Sequence, residues 1–192
     1  MSIYAVKIDD NFPDLSIVRE INEEAFPVDE RVPFDKLILM AQEEGISLSA
    51  VYDGSDFIGF YMVIFNEVNA YLAFIAIRKS QRSKGYGGKL LQFIASQYPD
   101  KKIILDIERE DPQATNYDQR LARQKFYLNN GFSLTGFFFD YANVEFEILA
   151  NKPLYDLDDA VPLLNHMRLL TLKYDIEEFK PEIYSMRNAK KN

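Results

Sequence analysis

The stretch from Ala70 to Glu108 constrains the fold most, because two periodicities meet there around a glycine-rich turn. The apolar run "AYLAFIAIR" is typical of a buried strand, and "KSQRSKGYGG" follows it directly. Apolar residues then recur at helical spacing from Leu90 to Tyr98, and "KKIILDIE" predicts another strand. A strand, a tight turn, a helix and a strand form a crossover unit, which makes the two strands a parallel pair.

The rest of the chain predicts mainly antiparallel strands. "IYAVKI" is a first strand, and two helices follow at 15–25 and about 34–44. Strands at 46–53, 57–66 and 70–78 form a three-strand meander, with Asp53-Gly54 as one of its turns. After the crossover, a helix runs from Asp111-Pro112 to Gly131, and a hairpin at 132–150 closes the sheet. We therefore expect an α/β fold with a mixed, mostly antiparallel central sheet flanked by helices.

The last 42 residues carry a weaker pattern. Residues 151–192 predict one helix, which Pro162 could interrupt, and a tail without a clear assignment. A length of 192 residues suits one domain with a substantial core. We therefore expect a functional domain at 1–150 and a C-terminal extension at 151–192 that packs on the same domain.

Composition excludes several kinds of chemistry. The chain has no cysteine and a single histidine, His166, which argues against disulfides, thiolate chemistry and a histidine-based metal site. The net charge of −8 argues against nucleic acid and favours a cationic partner. No apolar run approaches the roughly 20 residues that span a bilayer, and the first residues do not resemble a secretion signal. We expect a cytoplasmic protein with no membrane partner.

The glycine turn is suited to an anion. A helix that begins near Gly87 leaves its first N–H groups unpaired and directed into the turn, where the helix dipole favours negative charge. Gly85, Gly87 and Gly88 allow close approach, and Arg82 and Lys84 add positive charge. A Walker loop or a dinucleotide fingerprint is disfavoured, because Leu90 stands where those motifs need Ser/Thr or glycine. The alternative is a tight turn with exposed basic residues.

Two segments carry a family resemblance. "LAFIAIRKSQRSKGYGGKLL" resembles motif A of the GNAT superfamily N-acetyltransferases, and "ARQKFYLNNGF" resembles the end of that family's later helix. The resemblance covers about 46–150 and makes the domain at 1–150 an acetyltransferase domain. It implies a splayed parallel strand pair at the cofactor site, acetyl-coenzyme A as co-substrate and no metal. It implies that the coenzyme's pantetheine arm and pyrophosphate contact Ile75, Ala76, Ile77, Gln81, Arg82, Ser83, Lys84, Gly85, Tyr86, Gly87 and Gly88. Arg120 replaces a frequent asparagine and is a further candidate contact.

Acetyl transfer to an amine needs a positioned thioester, a neutral nucleophile, oxyanion donors and a proton for the departing thiolate. The resemblance implies that Tyr127 supplies that proton, and a packing role is the alternative. Backbone N–H groups near Ile75 to Ile77 could polarise the carbonyl. The base is open among the carboxylates Glu67, Glu24, Asp106 and Glu108. Strand alternation puts Asp106 and Glu108 on one face, where they could attract a cationic amine, or be solvated strand-end charges.

The acceptor site is predicted at "EEAFPVDERVPF", which resembles a helix–loop–helix segment that overhangs the acceptor in some GNAT enzymes. Phe26, Glu30 and Arg31 would shape the substrate pocket together with Glu24 and Glu108. Alternatively, Phe26 is a buried anchor and Glu30-Arg31 a surface pair. The expected acceptor is a small-molecule amine; a non-catalytic acyl-coenzyme A sensor and a protein or peptide N-acetyltransferase are the alternatives. The oligomeric state is open, a homodimer included.

Overall fold

The computed structural model describes residues 3–26, 31–141, 143–153, 160–176 and 179–185. Within them the elements, in chain order, are β1 (Ile3–Lys7), α1 (Leu15–Ala25), α2 (Phe34–Met40), β2 (Ile46–Asp53), β3 (Asp56–Phe65), β4 (Asn69–Ile77), α3 (Tyr86–Gln97), β5 (Lys102–Glu108), α4 (Tyr117–Asn129), β6 (Ser133–Tyr141), β7 (Val144–Ala150), α5 (Val161–Lys173) and β8 (Glu182–Ser185). None of the helices in these ranges is long and apolar enough to cross a membrane.

The strands form one sheet in the order β1-β2-β3-β4-β5-β7-β6-β8. In this sheet β4 and β5 are parallel, and the other neighbouring strands are antiparallel. The predicted mixed, mostly antiparallel α/β architecture is therefore confirmed. The parallel pair is the one that the helical crossover between β4 and β5 requires, because parallel neighbours cannot be joined by a tight turn.

Helix boundaries differ from the sequence prediction at three places. Helix α2 ends at Met40, before 44. Helix α4 begins at Tyr117, because the Asp111 carboxylate and carbonyl accept N–H groups of Gln113 and Ala114 and hold that segment in a turn. Pro162 lies in the first turn of α5, where the missing N–H has no intrahelical role, so it does not break the helix.

Helices cover both faces of the sheet. The face that we call the α1 face holds buried residues of α1, α2 and α5, and α5 contributes Leu163, Leu164, Met167 and Leu170 to its core. The opposite face, the α3 face, holds Leu90, Leu91 and Ile94 of α3 with Tyr127 of α4. The edge strand β8, which sequence patterning did not indicate, pairs with β6.

Strands β4 and β5 part after a short paired section. They are in register only from Asn69–Lys102 to Tyr71–Ile104, so the rest of each strand faces a gap that we call the cleft. A β-bulge follows at once: Met62 of β3 is opposite Phe74, and Val63 is opposite Leu72, which leaves Ala73 as the extra residue.

The bulge shifts the side-chain alternation of β4 by one residue. Ala70 and Leu72 pack on the α3 face, but beyond the bulge Phe74 and Ala76 pack on the α1 face. A bulge therefore sits where the cleft opens and turns Phe74 toward α1.

Candidate active site

The glycine turn ends in a helix N-terminus that is open to an anion. Gly85 is the N-cap of α3 with a φ of 79°, and among the described residues no side chain caps this helix. The first intrahelical bond is that of the Lys89 N–H with Gly85 O, so the preceding N–H groups of α3 lack a helical partner. Space is open where a Cβ of Gly85 would stand. Ser83 also has a left-handed φ of 62°, a costly conformation for a non-glycine residue.

Two basic side chains lie beside this turn. The Arg82 guanidinium donates through Nε to Ile77 O at 3.0 Å, and the Lys84 ammonium donates to Gln81 Oε1 at 3.0 Å. Both residues are exposed, as is Ser83. Uncapped N–H groups with two cations fit the pyrophosphate of coenzyme A.

Gly87 and Gly88 have a different reason to be glycine. A Cβ on Gly87 would lie 3.0 Å from the Phe126 ring, and one on Gly88 would lie 2.6 Å from Asn130 Oδ1. Asn130 in turn donates to Phe126 O at 2.7 Å at the end of α4. These two glycines therefore let α3 pack closely against α4.

The Tyr86 hydroxyl is bonded to the end of β2. Its hydroxyl donates to Asp53 Oδ2 at 3.0 Å, and that hydrogen bond raises the pKa of Tyr86. Of the residues predicted to bind the coenzyme, Tyr86 thus anchors α3 to the end of β2.

The backbone of β4 offers hydrogen-bonding groups to the cleft. Arg78 N–H donates to Ile58 O of β3 at 2.8 Å, and successive peptide groups of a strand point to opposite sides. The N–H groups of Ile75 and Ile77 therefore face the cleft, whereas the backbone of Ala76 faces β3. Ile75 and Ile77 are suitable donors for the pantetheine arm or the thioester carbonyl, and Ala76 is not.

Tyr127 lies in the last turn of α4 with only 8% of its surface exposed. Its ring contacts Phe126 and Phe132 at 5.1 and 5.8 Å between centroids. Within the described residues its hydroxyl has no hydrogen-bond partner, although other buried tyrosines such as Tyr71 have one. Burial raises the pKa of Tyr127 to about 12; Arg123 lowers it and Asp106 raises it further. The phenol therefore stays protonated at neutral pH.

Asp106 lies on β5, two residues beyond the last pairing with β4. Its side chain is half-buried, and Tyr71 donates to Asp106 Oδ1 at 2.5 Å across the opening. Burial raises the pKa of Asp106 to about 6, while the Tyr71 hydrogen bond and the charge of Arg123 lower it. A carboxylate with a pKa in this range can accept a proton near neutral pH.

Glu108 and Arg120 are paired with each other at the end of β5. Glu108 Oε1 is 3.0 Å from Arg120, and Glu108 Oε2 is 2.7 Å from Arg123. Arg120 also donates to Asn116 Oδ1 and to the Arg109 carbonyl. Glu108 is 7% exposed and Arg120 11%, and a buried carboxylate needs such partners. The pair ties α4 to the end of β5, and the assignments of Glu108 to the substrate and of Arg120 to the coenzyme stay predictions.

Glu67 lies in the turn before β4, at the end where β4 and β5 are still paired. It is exposed, and its carbonyl accepts the Lys101 ammonium at 3.0 Å. The strand begins at Asn69, four residues before the bulge at Ala73, which is roughly 13 Å along an extended strand. Glu67 therefore lies near the paired ends of β4 and β5, and its role as a base stays a prediction.

The C-terminal end of α1 packs over the opened part of β4. Phe26 is half-buried and meets Phe74 edge-on at 5.4 Å between centroids. Arg31 donates to Glu23 O at 3.2 Å, and Asn22 donates to Val32 O at 3.3 Å, which ties the far side of the loop to α1. Glu30 lies outside the described residues.

Glu24 is exposed on α1. It lines a depression of about 350 Å³ together with Glu20, Arg78, Lys79 and Ser80, beside the C-terminal end of β4. His166 lies on α5 near Gly45, away from these groups. Among the described residues, no three His, Asp or Glu side chains are grouped as a metal site.

Sequence reasoning missed Tyr71, Arg123 and Phe74. Tyr71 is 35 residues from Asp106 and belongs to an unbroken apolar run, so no local pattern marked it. Arg123 stands one helical turn before Tyr127, a spacing that could have indicated a charge beside that tyrosine.

Comparisons with known proteins agree with this geometry. The sequence model of the family described as "Acetyltransferase (GNAT) family" matches residues 15–132. A GNAT-family protein from Bacteroides thetaiotaomicron is similar in structure, with a TM-score of 0.69 at 18% identity over 91% of this chain and 99% of that one. An aminoglycoside 6'-N-acetyltransferase complexed with coenzyme A has a TM-score of 0.60 at 16% identity, over 80% and 99% of the two chains.

The ribosomal-protein-S18-alanine N-acetyltransferase from Escherichia coli has a TM-score of 0.58 at 14% identity, over 82% of this chain and 98% of that one. No curated protein gives a significant sequence match. At these identities the solved structures establish the fold, and the match over residues 15–132, more than half of the chain, establishes the family. The chain therefore belongs to the GNAT acetyltransferase family.

Proposed function

We propose that this acyltransferase moves the acetyl group of acetyl-coenzyme A to the primary amine of a small molecule by direct attack on the thioester. The observation that carries the proposal is the opening between β4 and β5, which is flanked by one carboxylate with a raised pKa, Asp106, and one protonated phenol, Tyr127. Bound coenzyme would supply the acetyl group as an activated thioester, with its pyrophosphate at the glycine turn.

Asp106 is the base in this proposal. An amine acceptor arrives mostly as an ammonium ion and must lose one proton before its nitrogen lone pair can attack. The carboxylate attracts the cation and takes that proton, directly or through one water. The net charge of −8 also favours a cationic acceptor over an anionic one.

Backbone donors and Tyr127 complete the reaction. The N–H groups of Ile75 and Ile77 face the cleft and can stabilise negative charge that develops on the carbonyl oxygen. The C–S bond then breaks as the carbonyl re-forms, and Tyr127 Oη gives its proton to the sulfur. The nitrogen of the new amide loses its second proton to solvent, and a proton from solvent restores the phenol. Burial raises the pKa of Tyr127. The same low-dielectric pocket raises the pKa of the coenzyme thiol, so the phenol can still protonate the departing thiolate.

The acceptor pocket is proposed on the α1 face. Phe26, the C-cap of α1, and Phe74 provide an aromatic wall beside the opened strand, and Arg31 donates to the Glu23 carbonyl of α1. An aminoglycoside N-acetyltransferase and a ribosomal-protein alanine N-acetyltransferase share this fold, so the fold alone does not choose between a small molecule and a peptide. The acidic net charge supports the small cationic amine.

Release of free thiol from acetyl-coenzyme A tests the proposal directly. The chain has no cysteine, so a thiol reagent reports coenzyme A without a protein background. The panel should contain aminoglycosides, polyamines, simple alkylamines, amino acids and peptides with free N-termini, with matching alcohols as controls. We expect thiol release that depends on a small amine. Coenzyme binding without release for any amine would instead identify an acyl-coenzyme A sensor, and release with peptides alone would identify a protein acetyltransferase.

A further inference from the structure

We propose that Tyr71 is a positioning residue for the reaction, because its hydroxyl holds the Asp106 carboxylate at the cleft and leaves that carboxylate able to accept the acceptor's proton. This inference rests on the proposed function, in which Asp106 is the base. Nothing in the family resemblance or the comparisons assigns a role to Tyr71.

Tyr71 stands at the point where the strands separate. It forms the last register pair of β4 with β5, opposite Ile104, and Asp106 is the next residue on the same side of β5. Its hydroxyl donates to Asp106 Oδ1 at 2.5 Å, and no other side chain in the described part of the chain hydrogen-bonds that carboxylate. The link therefore spans the cleft just where the backbone ladder between the strands ends.

The direction of this hydrogen bond is fixed. Tyr71 is 7% exposed, and burial, followed by the charge of Asp106, raises the pKa of Tyr71 well above its ordinary value. The phenol is thus a proton donor over the whole working pH range and cannot itself act as a base. Because a hydroxyl donates to the ionised carboxylate more strongly than to the neutral acid, Tyr71 favours the ionised form of Asp106.

The other charged and titratable groups around Asp106 come from α4 and β5. Arg123 of α4 lowers the pKa of Asp106, and Tyr127 of the same helix interacts with the Asp106 charge. Glu108 of β5 binds Arg123 on its far side and shares its positive charge. Burial raises the pKa of Asp106, whereas the Tyr71 hydrogen bond and the Arg123 charge lower it. The balance of these effects is a pKa of about 6. Without the Tyr71 hydroxyl, more of the carboxylate would be protonated near neutral pH, and a smaller fraction would be available as the base.

Tyr71→Phe tests this role because it removes the hydroxyl and keeps the ring. We expect the acidic limb of the kcat/KM profile to move up by about one pH unit, since a hydrogen bond to a charged group contributes roughly that much to ionisation. The loss of activity should approach tenfold near pH 5 and disappear near pH 9. Tyr52→Phe is the matched control, because Tyr52 also donates to an aspartate, Asp14, at 2.8 Å, but lies two strands from β4.

A second measurement needs neither coenzyme nor acceptor. Carbon-13 NMR of the Asp106 carboxyl in the free protein should titrate near pH 6 in the wild type and at higher pH in Tyr71→Phe. Asp106→Asn assigns the signal by removing it. An unchanged titration, or an activity loss of equal size at every pH, would show that Tyr71 only joins the two strands.

The outcomes separate this inference from the proposed function. A wild type without amine-dependent thiol release would refute the function, whereas the carboxyl titration would still report on the Tyr71–Asp106 link. If Tyr71→Phe does not fold, 3-fluorotyrosine introduced at position 71 keeps the hydroxyl and makes it a stronger donor. The acidic limb and the titration should then move to lower pH, and movement in the opposite direction or none would overturn the proposal.

Discussion

Replacement of Asp106 by asparagine is expected to stabilise the folded chain at neutral pH while it abolishes the proposed base. The pKa of Asp106 rises from an ordinary 3.8 to about 6 on folding, chiefly through burial. The folded state therefore binds more protons than the unfolded state between these values, and stability is lost as pH rises through that window. A difference of about 2.2 pKa units corresponds to about 3 kcal/mol of unfolding free energy, fully lost above about pH 7.

The asparagine variant does not lose this stability as pH rises, because its amide is neutral at every pH. Its side-chain oxygen can still accept the Tyr71 hydroxyl, so the link across the cleft is preserved. We expect Asp106→Asn to exceed the wild type by about 3 kcal/mol at pH 8 and by only about 1 kcal/mol at pH 4.5.

Urea unfolding at the two pH values measures this difference. Asp14→Asn is the control, because Asp14 also accepts a tyrosine hydroxyl but lies on the other side of β3, at the start of α1, and it should not gain stability at pH 8. If Asp106→Asn is less stable than the wild type at pH 8, or if its advantage does not shrink toward pH 4.5, then Asp106 is not a carboxylate held against its burial and the argument for a tuned base fails.

Three further changes test other parts of the site. Tyr127→Phe should lower kcat by roughly 10²–10⁴-fold and leave coenzyme affinity nearly unchanged, as measured by thiol release and calorimetry; wild-type turnover would assign Tyr127 to packing. Acetyl-coenzyme A at a hundredfold excess over its Kd should stabilise the wild type by about 2.7 kcal/mol in thermal unfolding. Arg82→Glu should lose most of that stabilisation by the coenzyme. Lys7→Glu, which reverses the charge of an exposed residue on the edge strand β1, should keep it. An equal loss in both variants would show that Arg82 does not bind the pyrophosphate. Gly88→Ala should cost about 1–3 kcal/mol, because its Cβ would stand 2.6 Å from Asn130 Oδ1, and a stability equal to wild type would mean that Asn130 moves freely aside.

Much of the fold follows from local patterns. The switch from a strand period to a helix period around the glycine turn predicts the β4–α3–β5 crossover, and the alternating segments predict the meander and the closing hairpin. The bulge at Ala73 could not be predicted, because "AYLAFIAI" is apolar on both faces and contains no charged residue to mark the change of alternation. Strand β8 was missed because its pairing with β6 is a tertiary contact.

The site was less predictable than the fold. The turn near Gly85 and the helix end at Tyr127 are marked by sequence motifs, since both need particular residues at short spacing. Alternation suggested a common role for Asp106 and Glu108, but tertiary contacts separate them. Arginines on α4 neutralise Glu108, whereas Asp106 meets a tyrosine and keeps a raised pKa.

The glycine turn and the C-terminal end of α4, which the two sequence motifs mark, pack against each other. Gly87 and Gly88 belong to the turn that would hold the pyrophosphate, and their missing side chains make room for Phe126 and Asn130. Phe126 adjoins Tyr127, and Asn130 bonds the Phe126 carbonyl, so the end of α4 is fixed against the start of α3. The proposed anion site and the proposed proton donor are therefore parts of one packed unit. A coenzyme anchored at its phosphates would meet Tyr127 at a distance set by helix packing, and such fixed placement lowers the entropic cost of bringing donor and thioester together.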